Sequence, residues 1–139
     1  MKSGMEWQVS SLEPSKRLKE LGVKQTSLLV WYKATRAIVK NDKTLGSEEY
    51  WTVWWNRQYT KEQYSAFTVA ELGEILPGEF QREGFTYHLN TWWHSPDEWQ
   101  VGYCLYDGVS PWAGQVFTGT EADARAKMLC YLIEQGIVK

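Results

Sequence analysis

Apolar and polar positions alternate along YWTVWWNRQY, residues 50–59, with the two-residue period of a β-strand. Tyr50, Thr52, Trp54 and Asn56 project to one side, and Trp51, Val53, Trp55 and Arg57 to the other. Neither side is plainly polar, so something is expected to cover both. The same period runs through GFTYHLNTWWH, residues 84–94. It sets Phe85, Tyr87, Leu89, Thr91 and Trp93 against Thr86, His88, Asn90, Trp92 and His94. SPDE is turn chemistry, and EWQVGYCLYD follows at hairpin distance, with Trp99, Val101, Tyr103 and Leu105 facing one way. Residues 27–34, SLLVWYKA, read as a further strand that extends through Ala37-Ile38-Val39. Asn41-Asp42 and Leu45-Gly46 are turn material, TKEQYS is a polar connection, and a short strand is expected over 114–118.

A helical period appears three times. Leu12, Leu18 and Leu21 fall near one face of a helix over 12–21, capped by Ser10 or Ser11 and stopped by Gly22. Thr68 and Glu71 form a capping box for a helix of about two turns with Val69, Leu72 and Leu76 on its stripe and Pro77-Gly78 after it. Gly73 inside that helix costs about 1 kcal/mol against alanine, which points to a close approach to a sheet. The last helix starts at a Thr120 cap, carries Ala122, Ala126, Leu129, Leu132 and Ile133 on one stripe, and ends at Gly136. Asp107-Gly108 ends the second hairpin, and an irregular loop holds Trp112. The order implies one α+β domain over residues 1–139. Its antiparallel sheet has four to five strands, with N- and C-terminal helices and one short central helix against it.

Charge and composition narrow the chemistry. The 139 residues carry a net charge of −2, without the basic excess that coats a nucleic-acid polymer. No apolar run approaches the length of a membrane span, and MKSGMEWQVSS lacks the apolar stretch of a signal peptide. Cys104 and Cys130 read as small buried hydrophobes in a reducing compartment. His88 and His94 share a strand face but lie about 20 Å apart at about 3.3 Å per residue, too far to share a metal ion. No nucleophile elbow, phosphate loop or metal-binding spacing is present, and the acids near His94 (Asp97, Glu98) and before the first tryptophan cluster (Glu48, Glu49) read as solvated surface. No cofactor, metal or catalysis is expected.

The outlier is aromatic content, 15% of residues with nine Trp and eight Tyr. That exceeds what a core of this size requires, so some rings are expected at a cavity or interface. Alternation sends Trp54 and Trp55 to opposite faces, and Trp92 and Trp93 likewise. If the two strands neighbour one another, the outward rings make a platform bordered by Arg57, Asn56, Asn90 and His94. Rings stack on a nucleobase at roughly 1–3 kcal/mol per base, and the forked guanidinium of Arg57 or Arg36 takes a phosphate. Trp, Tyr and Arg are equally the residue types that anchor protein contacts.

SLEPSKRLKELGVKQTSLLVWYK, AFTVAELGEILPG and EADARAKMLCYLIEQGIV together resemble a family of small phage and prophage proteins of unassigned function. The resemblance implies a phage or prophage origin and a place in the host-cell cytoplasm. Phage accessory proteins of this size include inhibitors of host defence, some of which sequester nucleotide immune signals such as cyclic ADP-ribose isomers or cyclic dinucleotides. The expectation is therefore capture without turnover of a nucleotide-type ligand by Trp54, Trp55, Asn56, Arg57, Asn90, Trp92, Trp93, His94 and Arg36. The alternative uses the same surface to block a host protein. Self-association is expected with either.

Overall fold

A computed structural model describes residues 8–59, 62–95, 97–105 and 116–138. Among these residues, three helices and seven strands follow in the order α1 (Leu12–Glu20), β1 (Leu29–Lys40), β2 (Lys43–Trp55), β3 (Gln63–Ser65), α2 (Val69–Ile75), β4 (Glu79–Arg82), β5 (Phe85–Ser95), β6 (Glu98–Cys104), β7 (Phe117–Gly119) and α3 (Glu121–Glu134). This is the α+β class the patterning implies. The strands divide into two antiparallel sheets, however, ordered β2-β1-β3 and β4-β5-β6-β7.

Local chemistry explains most of the elements. Asn41 and Asp42 both take positive φ, 52° and 59°, as a two-residue hairpin turn requires, and both side chains tolerate it. Leu45-Gly46, the other turn candidate, lies inside β2. There the register slips beside Ile38/Val39, and Gly46 takes φ 148°, a conformation that glycine alone adopts freely. Thr68 Oγ1 accepts from the Glu71 N–H, and the Glu71 carboxylate accepts from the Thr68 N–H, completing the expected capping box. Thr120 caps α3 through the Asp123 N–H. The turn at Asp107-Gly108, the loop around Trp112 and the first residues of the expected 114–118 strand lie outside the described residues.

The two sheets have separate cores. Under α3, Ala122, Ala126, Met128, Leu129 and Leu132 pack with Val101 and Tyr103 of β6 and with Phe67, Leu72 and Leu76. The first sheet has a smaller cluster of Val9, Leu29, Trp31, Val53 and Ala66. Helix α1 serves both, with Leu18 in the larger cluster and Leu12 against the smaller. Ser10 ties the parts together. Its carbonyl accepts from the Trp31 indole N–H at 2.8 Å, its N–H donates to Phe67 O at 2.8 Å, and its hydroxyl accepts from the Phe67 N–H at 3.0 Å. Asp123 of α3 accepts from the neighbouring Ser11 N–H at 2.7 Å. A single sheet would have to wrap one core, whereas these side chains fill two. Gly73 is not at a close helix–sheet contact. A methyl there would meet only the Arg125 guanidinium, at 3.9 Å.

Candidate binding surface

The first sheet has one face under helix α1 and one that is only partly covered. On the covered face, Leu29, Trp31 and Lys33 lie opposite Trp55, Val53 and Trp51. Helix α1 roofs it with the ammonium groups of Lys16 and Lys19, 5.2 Å from the Trp51 ring and 5.1 Å from the Tyr64 ring, while Lys33 sits 5.4 Å over Trp51. These cation–ring contacts let lysine stems cover indole while the charge stays wet.

On the opposite face, Val30, Tyr32, Ala34 and Arg36 pair with Trp54, Thr52, Tyr50 and Glu48. The chain after β2 folds back so that Tyr59 stacks on Tyr32, centroids 4.0 Å apart, and its hydroxyl donates to Trp55 O at 2.9 Å. Desolvation, then the neighbouring Tyr59 and Tyr50, hold the Tyr32 phenol above its ordinary range. The Arg36 guanidinium lies 4.7 Å over the Tyr50 ring and pairs with Glu48. Trp54 remains 50% exposed and Leu28 67%. The cover expected on both faces of this strand is complete on neither. This face is closed around Val30, 2% exposed, and under Tyr59, and open at Leu28 and Trp54, where it is an apolar, ring-bearing strip.

The remaining expected site residues are scattered. Asn56 closes the hairpin: its side-chain amide donates to Ser27 O at 2.8 Å, and its N–H donates to Leu28 O at 2.7 Å. Arg57 follows it and is exposed. Trp55 belongs to the covered face but is 51% exposed, because it lies at the end of the strand. In the second sheet, Thr91 and Trp93 oppose Val101 and Trp99 on the α3 side, and Asn90 and Trp92 oppose Gly102 and Gln100 on the other. Trp93 is 60% exposed at the end of its strand. His94 sits where the register slips between Trp93 and Ser95, at a recess of about 270 Å³ shared with Asp97, Glu98, Gln100, Thr118 and Gly119. The Asn90 amide donates to Cys104 Sγ at 2.8 Å and to His88 O at 3.1 Å. Strands β2 and β5 lie in different sheets, so the two tryptophan clusters are not hydrogen-bonded neighbours and do not form the platform that neighbouring strands would make.

Two groupings escaped the sequence pattern. Leu28, Tyr32, Tyr50 and Tyr59 join Trp54 and Arg36 on the open strip; strand alternation extended through β1 would have found all but Tyr59. Glu79, His88 and Cys104 form one row across β4, β5 and β6, with Glu79 Oε2 3.4 Å from His88 Nδ1. The Cys104 thiol is fully buried, whereas the Glu79 and His88 side chains reach solvent and line a recess of about 510 Å³ with Gly84, Phe85, Thr86 and Leu105. Among the described residues no group of three or more His, Cys, Asp or Glu side chains is arranged to hold a metal ion, and no helix is long and apolar enough to cross a membrane.

No protein-family model matches the chain, and neither a curated protein nor a solved structure is found to be similar to it.

Proposed function

We propose that the chain is a non-catalytic binding protein that grips a partner protein with the open face of the β1–β2 sheet. The observation that carries this reading is the half-exposed Trp54 beside Leu28, the Tyr32–Tyr59 stack and the Arg36–Tyr50 pair. Large rigid rings next to an arginine supply most of the energy of protein contacts, and a flat strip suits a protein better than a small molecule. The resemblance to small phage and prophage proteins makes a host protein the partner class and its blockade the outcome. Leu28→Asp and Trp54→Asp place charges on the strip without touching either core. Each is expected to abolish retention of a host protein on the immobilised chain while the circular dichroism spectrum stays that of the folded chain. Retention unaffected by both substitutions overturns the reading.

Capture of a nucleotide-type immune signal is the second reading, favoured by one observation: rings and the Arg36 guanidinium share a face. It predicts quenching of tryptophan fluorescence by ADP-ribose or a cyclic dinucleotide. Ligand at 100 times its dissociation constant would add about 2.7 kcal/mol of stability. Arg36→Ala should remove that gain, and recovery of the ligand unaltered separates capture from turnover.

A further inference from the structure

Strand β2 is the outer edge of its sheet. The bond from Asn56 N–H to Leu28 O marks 28/56 as a hydrogen-bonded pair, so the alternation of an antiparallel ladder directs the backbone groups of Gly46, Glu48, Tyr50, Thr52 and Trp54 toward β1. Those of Ser47, Glu49, Trp51 and Val53 then point away from the sheet. Such a row of outward donors and acceptors is a template for another strand. Among the described residues, the bulge beside Leu45 and the acids Glu48 and Glu49 are the devices on this edge that discourage pairing.

We propose that this edge pairs antiparallel with the β2 edge of a second copy of the chain, about a two-fold axis at Tyr50. A two-fold axis perpendicular to the sheet sets one residue against its own copy, which limits the registers. Centring on Glu48 or Glu49 places like charges directly opposite one another, which is destabilising. Centring nearer the tip drives the bulge into the ladder. Centring on Tyr50 uses the regular stretch from Gly46 to Trp54 and centring on Trp51 that from Ser47 to Trp55, but only the former brings Glu49 opposite Trp51 and the Lys33 ammonium over it. The Tyr50 register sets Glu49 against Trp51, Glu48 against Thr52, Ser47 against Val53 and Gly46 against Trp54.

Charge singles out a second copy as the occupant. Lys33 pairs with Trp51 and carries its ammonium 5.4 Å over that ring, toward the edge where the second copy's Glu49 arrives. The same match repeats on the other side of the axis. On the open face Tyr50 meets its own copy, and the half-exposed Trp54 indole lies over Gly46, which has no side chain to obstruct it. The axis keeps both open faces on one side, so two strips become one continuous platform. The pairing rests on backbone geometry and charge and stands independently of what the strip binds.

Analytical ultracentrifugation of the full chain tests it, with a dimer expected. Ser47→Pro removes an outward N–H and no bond of the β1–β2 ladder, and edge positions of this kind accept proline. It is expected to halve the mass with circular dichroism unchanged. Should the proline variant fail to fold, Glu49→Lys, which sets Lys against Lys33 of the second copy, is expected to give the same halving. Tyr50→Cys reports the register. Opposed residues at a non-hydrogen-bonded position have Cα atoms about 4.5 Å apart, within the roughly 4.4–6.8 Å of a disulfide. Mild oxidation should therefore cross-link the variant quantitatively and leave the wild type, whose Cys104 and Cys130 are buried, uncross-linked. A monomeric wild type, a dimer that both Ser47→Pro and Glu49→Lys leave intact, or an uncross-linked Tyr50→Cys overturns the proposal. Loss of partner retention in Leu28→Asp with dimer mass preserved would keep the two ideas apart.

Discussion

The two tryptophan clusters obey the same strand alternation and end in different surroundings. In the first, Trp51 lies under lysines from α1 and β1, Trp54 points to the open face, and Trp55 shares the covered face with Trp51 yet is half exposed. In the second, Trp92 faces away from α3, while Trp93 shares the α3 side with Val101 and Tyr103 yet is the more exposed of the pair. Whether an indole is wet therefore depends on two things: the face it is on, and how far along the strand the covering element reaches. Periodicity encodes the first. The second depends on where a helix from elsewhere in the chain comes to lie.

The sharpest test of that distinction compares two rings on covered faces. Trp31 is 8% exposed and its N–H is bonded to Ser10 O, so Trp31→Ala is expected to lose about 3–5 kcal/mol in urea unfolding. Trp93→Ala, at the uncovered end of its own face, is expected to lose less than about 1 kcal/mol. Equal losses would break the comparison. Next in size is Glu71, whose carboxylate accepts from the Thr68 and Leu28 N–H groups and from the Ser27 hydroxyl, clamping α2 to the start of β1. Glu71→Ala should cost about 2 kcal/mol, and hydrogen exchange should rise at both Thr68 and Leu28.

Alkaline pH probes the covered part of the second sheet. Burial raises the Tyr103 phenol above its ordinary range, and burial raises the Cys130 thiol to about 11. Both groups stay protonated in the folded chain at pH values where the unfolded chain has already lost those protons. The Cys130 contribution is therefore complete below pH 9.0, the ordinary thiol value, and is lost as pH rises through about 11, while that of Tyr103 begins to fall only above pH 10.0. Cys130→Ala should flatten the thermal-stability profile over that window; an unchanged slope contradicts a buried thiol. The smallest effect is a gain. With only the Arg125 guanidinium near it, Gly73→Ala should stabilise the chain by about 0.5–1 kcal/mol, read as a small rise in melting temperature.

Much of the fold was legible in local chemistry. The Thr68 and Thr120 caps, the α3 stripe, the Asn41-Asp42 turn and the facing of every tryptophan in β2 and β5 follow from neighbours within a few residues. What escaped was non-local. Strand β3 is three residues long and exists because Val30 to Tyr32 offer it a partner, a fact absent from TKEQYS itself. The division into two sheets depends on α1 serving two cores. The candidate site was half legible: alternation set Trp54 with Tyr50 on one side of the strand, Arg36 was named for its guanidinium alone, Tyr59 reaches the strip only through a backward fold, and Asn56 and Asn90 turned out to serve the backbone and Cys104.

On the face of the β1–β2 sheet away from α1, Trp54 stands open in a ring-bearing strip. Acrylamide quenching of single Trp→Phe variants measures that exposure directly. Trp54→Phe and Trp55→Phe should each remove a strongly quenchable component, and Trp31→Phe should remove only unquenchable emission. A Trp54 indole as protected as Trp31 would contradict the account.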